Sequence, residues 1–118
     1  MANRRAEAID EVDDAITRGT TNVFADLGYA DAEERQTRLR LASAINSVIA
    51  RRRLTQDAAA AKLGVNQPKV SALAHYKLDG FSVERLMIFL TSLDQDVEIV
   101  IRKKPRTRAA GRISVVGA

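Results

Sequence analysis

Four polar side chains crowd one short stretch of this sequence: Gln56, Gln67, Lys69 and Ser71. They are short to medium in length, and together they supply hydrogen-bond donors and acceptors plus one cation. That is the inventory for contacts to phosphates and to base edges. Other groupings offer less chemistry. With no Cys, disulfides and thiolate metal sites are excluded. The single His, His75, sits beside Tyr76 at an expected helix end and reads as a helix-end residue. Asp13-Asp14 and Glu33-Glu34 are sequence neighbours, which cannot face one another on a helix. No Ser/His/Asp set and no metal-ligand spacing occurs, so neither a cofactor nor enzyme chemistry is expected.

The polar residues need elements to aim them, and the local sequence supplies these. Thr55 reads as the N-cap of a helix from Gln56 to Leu63, and Gly64 ends it. Asn66 reads as the next N-cap. Pro68 falls in that helix's first turn, where its missing N–H costs little. This helix is expected to run to about His75. Two helices meeting at a steep angle need a small residue at their approach, and Ala60 fits. The turn between them needs positive φ, which Gly64 adopts freely. Ala59, Leu63, Val65, Val70 and Leu73 then face a shared core.

Flanking helices follow from the same periodicity. Asp31 is expected to cap a helix running to about Arg52, with Leu41, Ala42, Ile45, Val48 and Ile49 as its buried stripe. Leu78-Asp79-Gly80 signals a turn, and Ser82 caps a helix with Val83, Leu86, Met87, Leu90 and Leu93 on one face. The period then changes. Asp96 to Arg102 alternates and is rich in β-branched residues, which predicts a strand. Arg112 to Val116 reads as a second short strand after Pro105. A two-stranded hairpin is marginal alone. Val97, Ile99 and Ile101 are therefore candidates for pairing with the same strand of a second chain. The fold class expected is mainly α: a helical bundle with a short C-terminal β-strand or hairpin.

Composition sets outer bounds. The chain has 118 residues, 46% of them hydrophobic but only 4% aromatic, with no Trp. Its core must come from Leu, Ile, Val and Ala. No run of about 18 apolar residues exists for a membrane span, nor does the start carry the apolar core of a secretory signal. A cytoplasmic setting is expected. Charge is uneven. Residues 1–34 hold nine acids against three Arg, net −6, whereas residues 51–118 hold thirteen Lys and Arg against six acids, net +7. The halves suit partners of opposite sign. The expected division is an acidic arm over 1–30, a helical domain over 31–95 and a basic C-terminal segment over 96–118. Within the arm, Val23, Phe24 and Leu27 form an apolar knot that either docks on the body or binds a partner.

The register Thr55-Gln56, Ala60, Gly64-Val65, Gln67-Pro68, Val70-Ser71 and Leu73 resembles the helix-turn-helix of lambda-repressor-like (Xre) regulators. That resemblance implies a lambda-repressor-like bundle whose second short helix reads duplex DNA in the major groove. A narrower likeness covers roughly residues 20–116. Asn22 to Gly28, Leu54-Thr55-Gln56, Gln67 to Ser71, Leu78 to Ser82 and Asp96 to Val100 are similar to HigA-type antitoxins. This implies an antitoxin that neutralises a small basic toxin of the RelE/HigB kind and represses its own operon as a dimer.

Roles within the helix-turn-helix follow from position. Gln67, at the start of the recognition helix, donates and accepts together, which suits adenine N6/N7. Lys69 can reach guanine or a phosphate, and Ser71 either. Ala72 is placed to touch a thymine methyl or simply to pack. Gln56 and Asn66, at helix N-termini, suit phosphate. Lys77 and Arg51 to Arg53 are further phosphate candidates. Pro68 stands where many relatives carry a base-reading side chain, so direct readout per half-site is expected to be modest, with DNA shape contributing. A homodimer is expected, since one recognition helix covers only a few base pairs. A stand-alone regulator without a toxin, and an interaction module that has lost DNA binding, are the competing readings.

Overall fold

Four helices follow one another in the computed structural model, which describes residues 29–117. They are α1 (Tyr29–Arg51), α2 (Gln56–Leu63), α3 (Gln67–Ala74) and α4 (Val83–Ser92). The acidic arm's apolar knot, Val23, Phe24 and Leu27, lies outside the described residues.

Local chemistry explains where the helices start. Thr55 Oγ1 accepts from the Ala58 N–H at 3.0 Å, Asn66 Oδ1 from the Lys69 N–H at 3.0 Å, and Ser82 Oγ from the Arg85 N–H at 3.1 Å. Each satisfies a donor that the first turn leaves orphaned, and replacing such a cap by alanine costs about 1 kcal/mol. Asp31 behaves otherwise. The helix already begins at Tyr29, so Asp31 is a first-turn residue and not a cap. The good helix formers Ala30 and Ala32 around it carry the helix through, and its carboxylate still faces the positive end of the dipole.

The helix ends share one device. A residue just past each helix adopts positive φ, and the next N–H turns back to a carbonyl in the last turn. After α2 this residue is Gly64, at φ 71°, and the Val65 N–H donates to Ala60 O at 3.1 Å. After α1, α3 and α4 it is Arg53, Tyr76 and Asp94, at 55°, 58° and 64°. The closing bonds run from Leu54 to Ile49, Lys77 to Ala72 and Gln95 to Leu90, at 3.0, 2.9 and 2.9 Å. These are Schellman ends, three of them without glycine. A Cβ on Gly64 would meet nothing within 4 Å. The cost of Gly64→Ala is therefore backbone conformation alone, about 1 kcal/mol after the smaller unfolded-state entropy is counted. Urea unfolding should show a lower midpoint with an unchanged slope.

The core lies within the unit formed by residues 35–118. Leu41, Ala42, Ile45 and Val48 of α1 bury the expected stripe. α2 packs against α3 and α4. The Asn46 side chain ties α1 to α3, its Nδ2 donating to Leu73 O at 3.0 Å. Two buried aromatics, Phe81 and Phe89, meet edge to face with centroids 6.0 Å apart. The buried face of α4 is accordingly Leu86, Phe89 and Leu90, continued by Leu93, while Val83 and Met87 pack at its margin. No helix among the described residues is long and apolar enough to cross a membrane.

The C-terminal segment departs from expectation. Neither Asp96 to Arg102 nor Arg112 to Val116 forms a strand, and no strand occurs among the described residues. A strand exists only through its ladder, and here no neighbouring strand offers one. The first run ends in Arg102, followed by Lys103 and Lys104, which repel one another and it, and then by Pro105, which has no N–H to donate. Val97 instead packs half-buried against the core, as does Val115. Ile99 and Ile101 remain 75% and 92% exposed. Of the three residues expected to pair across chains, Val97 is thus engaged with its own domain.

Candidate nucleic-acid interface

The turn between α2 and α3 brings two helix N-termini to one place. Gln56 opens α2 and Gln67 opens α3. Their side chains meet, with Gln67 Nε2 donating to Gln56 Oε1 at 3.1 Å. Both are exposed. The bond uses one of the two Gln67 amide hydrogens. The other hydrogen and Oε1 stay available, which is the pair that adenine N7 and N6 require. Gln56 keeps its own amide N–H groups for a phosphate oxygen. The two glutamines thus form a single unit able to join a backbone contact to a base-edge contact. Sequence reasoning named both residues but missed the bond, which spans the turn and depends on how the helices cross.

Ala59, Ala60, Leu63, Val70 and Leu73 hold that crossing from beneath, all buried, with Val65 packed at the edge. Asn66 is exposed, but its Oδ1 is already engaged in capping α3. Its Nδ2 is the group left for phosphate. Pro68 follows Gln67 in the first turn, exposed, with no N–H to lose.

Lys69 is half-buried, with Nζ 4.9 Å from the centre of the Phe81 ring. A Cβ on Gly80 would lie 3.3 Å from that nitrogen, so the glycine leaves the ammonium its room. The contact is a cation–π interaction worth about 0.5–1 kcal/mol at such a site. A Lys69 that reaches for DNA gives this up. Phe81 and Gly80 are the positioning residues that sequence reasoning did not identify. A large aromatic beside a turn was visible, but not the cation it meets.

The remaining candidates sort by exposure. Ser71 is half-buried, and its carbonyl accepts from His75 Nδ1 at 2.9 Å, which puts the imidazole proton on that nitrogen. Ala72 is half-buried and packs against the core, so its methyl serves packing first. Lys77 is exposed just past the α3 end, and Arg51, Arg52 and Arg53 are exposed at the end of α1. Arg52 reaches Asp94 at 3.4 Å, an exposed pair of small energetic value. No group of three His, Cys, Asp or Glu suited to a metal ion occurs among the described residues.

Comparison with known proteins agrees with this geometry. The helix-turn-helix domain family matches residues 23–102. A solved structure of a protein assigned to the XRE family of transcriptional regulators is 77% identical to this chain. It covers 75% of this chain and 99% of its own length, with a TM-score of 0.72. No curated protein matches the chain.

Proposed function

The chain belongs to the XRE family of helix-turn-helix transcriptional regulators, and we propose that it is a cytoplasmic, dimeric, sequence-specific repressor of the operon that encodes it. The observation that carries this reading is the Gln56–Gln67 hydrogen bond, which joins two exposed amides at two helix N-termini; in this reading Gln56 faces the backbone and Gln67 the base. Gln67, Lys69 and Ser71 read the major groove. Gln56, Asn66 and Lys77 hold phosphates. Two copies are needed because one α3 spans only a few base pairs, and a two-fold operator matches a two-fold protein. Exposed Ile99 and Ile101 offer apolar surface for that pairing.

We further propose that the regulator is the antitoxin of a toxin–antitoxin pair. The likeness to HigA-type antitoxins supports this, as does the net charge of −6 over residues 1–34, which suits a basic toxin of the RelE/HigB kind. In this reading Val23, Phe24 and Leu27 supply the apolar part of the contact. The second reading is a stand-alone regulator with no toxin partner, and the relative matched, an XRE-family transcriptional regulator, fits either.

One experiment separates these. The full chain should bind the DNA upstream of its own gene with steep salt dependence and prefer it over a shuffled duplex. It should also capture the product of an adjacent short gene for a basic protein. Deletion of residues 1–30 should abolish that capture and leave operator binding intact. Capture that survives the deletion removes the arm from toxin binding, and a chain that prefers no DNA sequence sinks the repressor reading.

A further inference from the structure

The strongest charge feature outside the helix-turn-helix lies after α4. From Ile99 to the end, the chain carries Arg102, Lys103, Lys104, Arg106, Arg108 and Arg112 and no acidic side chain. All are exposed except Arg108, which is half-buried. None pairs with a carboxylate among the described residues, and the one bond any of their side chains makes runs from Arg108 Nη1 to Ala110 O at 3.2 Å. The match to the helix-turn-helix family stops at Arg102, so five of these six cations lie past it.

Two anchors hold this stretch in place. Val97 before it and Val115 after it both pack against the core. The cations therefore ride on an excursion fastened at both ends, and not on a free tail. Fastening lowers the entropy lost when the segment settles on a ligand. The chain leading into it also has a known neighbour. Asp94 pairs with Arg52 at 3.4 Å, and three residues beyond Arg52 Thr55 caps α2. The excursion thus leaves the domain next to the Arg51–Arg53 cations and the helix end that carries Gln56. An extended chain covers about 3.3 Å per residue, so Arg102 lies within about 27 Å of that contact.

We propose that residues 102–112 form a second DNA-contacting element, which binds the phosphodiester backbone beside the base-reading contact without reading sequence. This rests on the DNA-binding reading above. Duplex DNA is the ligand the placement favours, because the excursion springs from the helix end already assigned to phosphate. Unpaired cations spread along a segment without helix or strand suit a row of phosphates and supply no shaped pocket.

The test uses the full chain and a variant carrying R102Q, K103Q, K104Q and R106Q. None of these residues is in the core, so unfolding should be unchanged. Binding is measured across a salt series on the operator and on a shuffled duplex. Each lost phosphate contact lowers the slope of log K against log salt by about 0.9. The variant should therefore lose about 2 to 4 in slope per chain, weaken equally on both duplexes, and keep its preference for the operator. Neutral methylphosphonate linkages flanking the half-site should weaken the wild type and leave the variant indifferent, a result that loss of net charge alone does not give. A wild type that binds while the variant keeps its slope overturns this element alone. A wild type that binds neither duplex overturns the DNA-binding reading beneath it.

Discussion

Gln67→Ala will flatten the preference for the operator more than it weakens binding. One good bidentate contact carries about 1–3 kcal/mol of discrimination between bases. Removing the amide deletes that term and also frees Gln56 Oε1, which Gln67 Nε2 now satisfies. Gln56 is exposed and water replaces the lost partner, so the fold should not suffer. Competition binding on the operator against a shuffled duplex gives the result directly. The ratio should fall by about 1–3 kcal/mol, while affinity for the shuffled duplex barely moves. Lys77→Ala is the contrast. Its loss should be similar on both duplexes, because the proposed reading gives this exposed cation past the end of α3 a phosphate and no base. Equal losses for Gln67→Ala would strike it from the base-reading residues.

Leu73→Ala will act through the fold. The side chain is fully buried where α3 meets the core, and the residue's own backbone carbonyl accepts the α1 tie from Asn46. Such truncations cost about 2–5 kcal/mol, from lost burial plus the cavity left behind. Small domains have about 5–15 kcal/mol in total. A large share of stability should go, visible as a lower denaturant midpoint. DNA affinity should fall only with the folded fraction, leaving the operator-to-shuffled ratio unchanged. Leu73→Met, which keeps most of the volume, should lose less than about 1.5 kcal/mol. A changed ratio in the folded variant would mean that Leu73 sets the aim of α3 as well as its stability.

The difference between what was legible in the sequence and what was not follows from range. Thr55, Asn66 and Ser82 cap their helices by bonds to the N–H three residues on, so a short window contains the whole argument. Gly64 announces its turn because only glycine enters positive φ freely. Arg53, Tyr76 and Asp94 make the same turn without that signal, and no residue type marks them. The Gln56–Gln67 bond and the Lys69–Phe81 contact join residues eleven and twelve apart, the first through the crossing of α2 and α3 and the second through the turn that leads from α3 to α4. The strand at Val97 fails for a related reason. Alternation states what a strand would look like, but pairing is decided by a neighbour that the described residues do not supply.

The glutamine pair has a consequence for how the regulator finds its site. A regulator of this kind meets mostly DNA that is not its operator, and such proteins slide and hop over this excess while held by phosphates. A polar side chain stripped of water over a mismatched base pair normally pays for its missing partner. On the proposed reading, Gln67 carries a partner for one amide hydrogen, since Gln56 belongs to the same chain. The second hydrogen and Oε1 have no such partner and bear the whole penalty over a wrong base. The bond therefore leaves rejection intact at the atoms that face the base, and by fixing beforehand the rotamer that presents them it lowers the ordering entropy lost at each trial along the duplex.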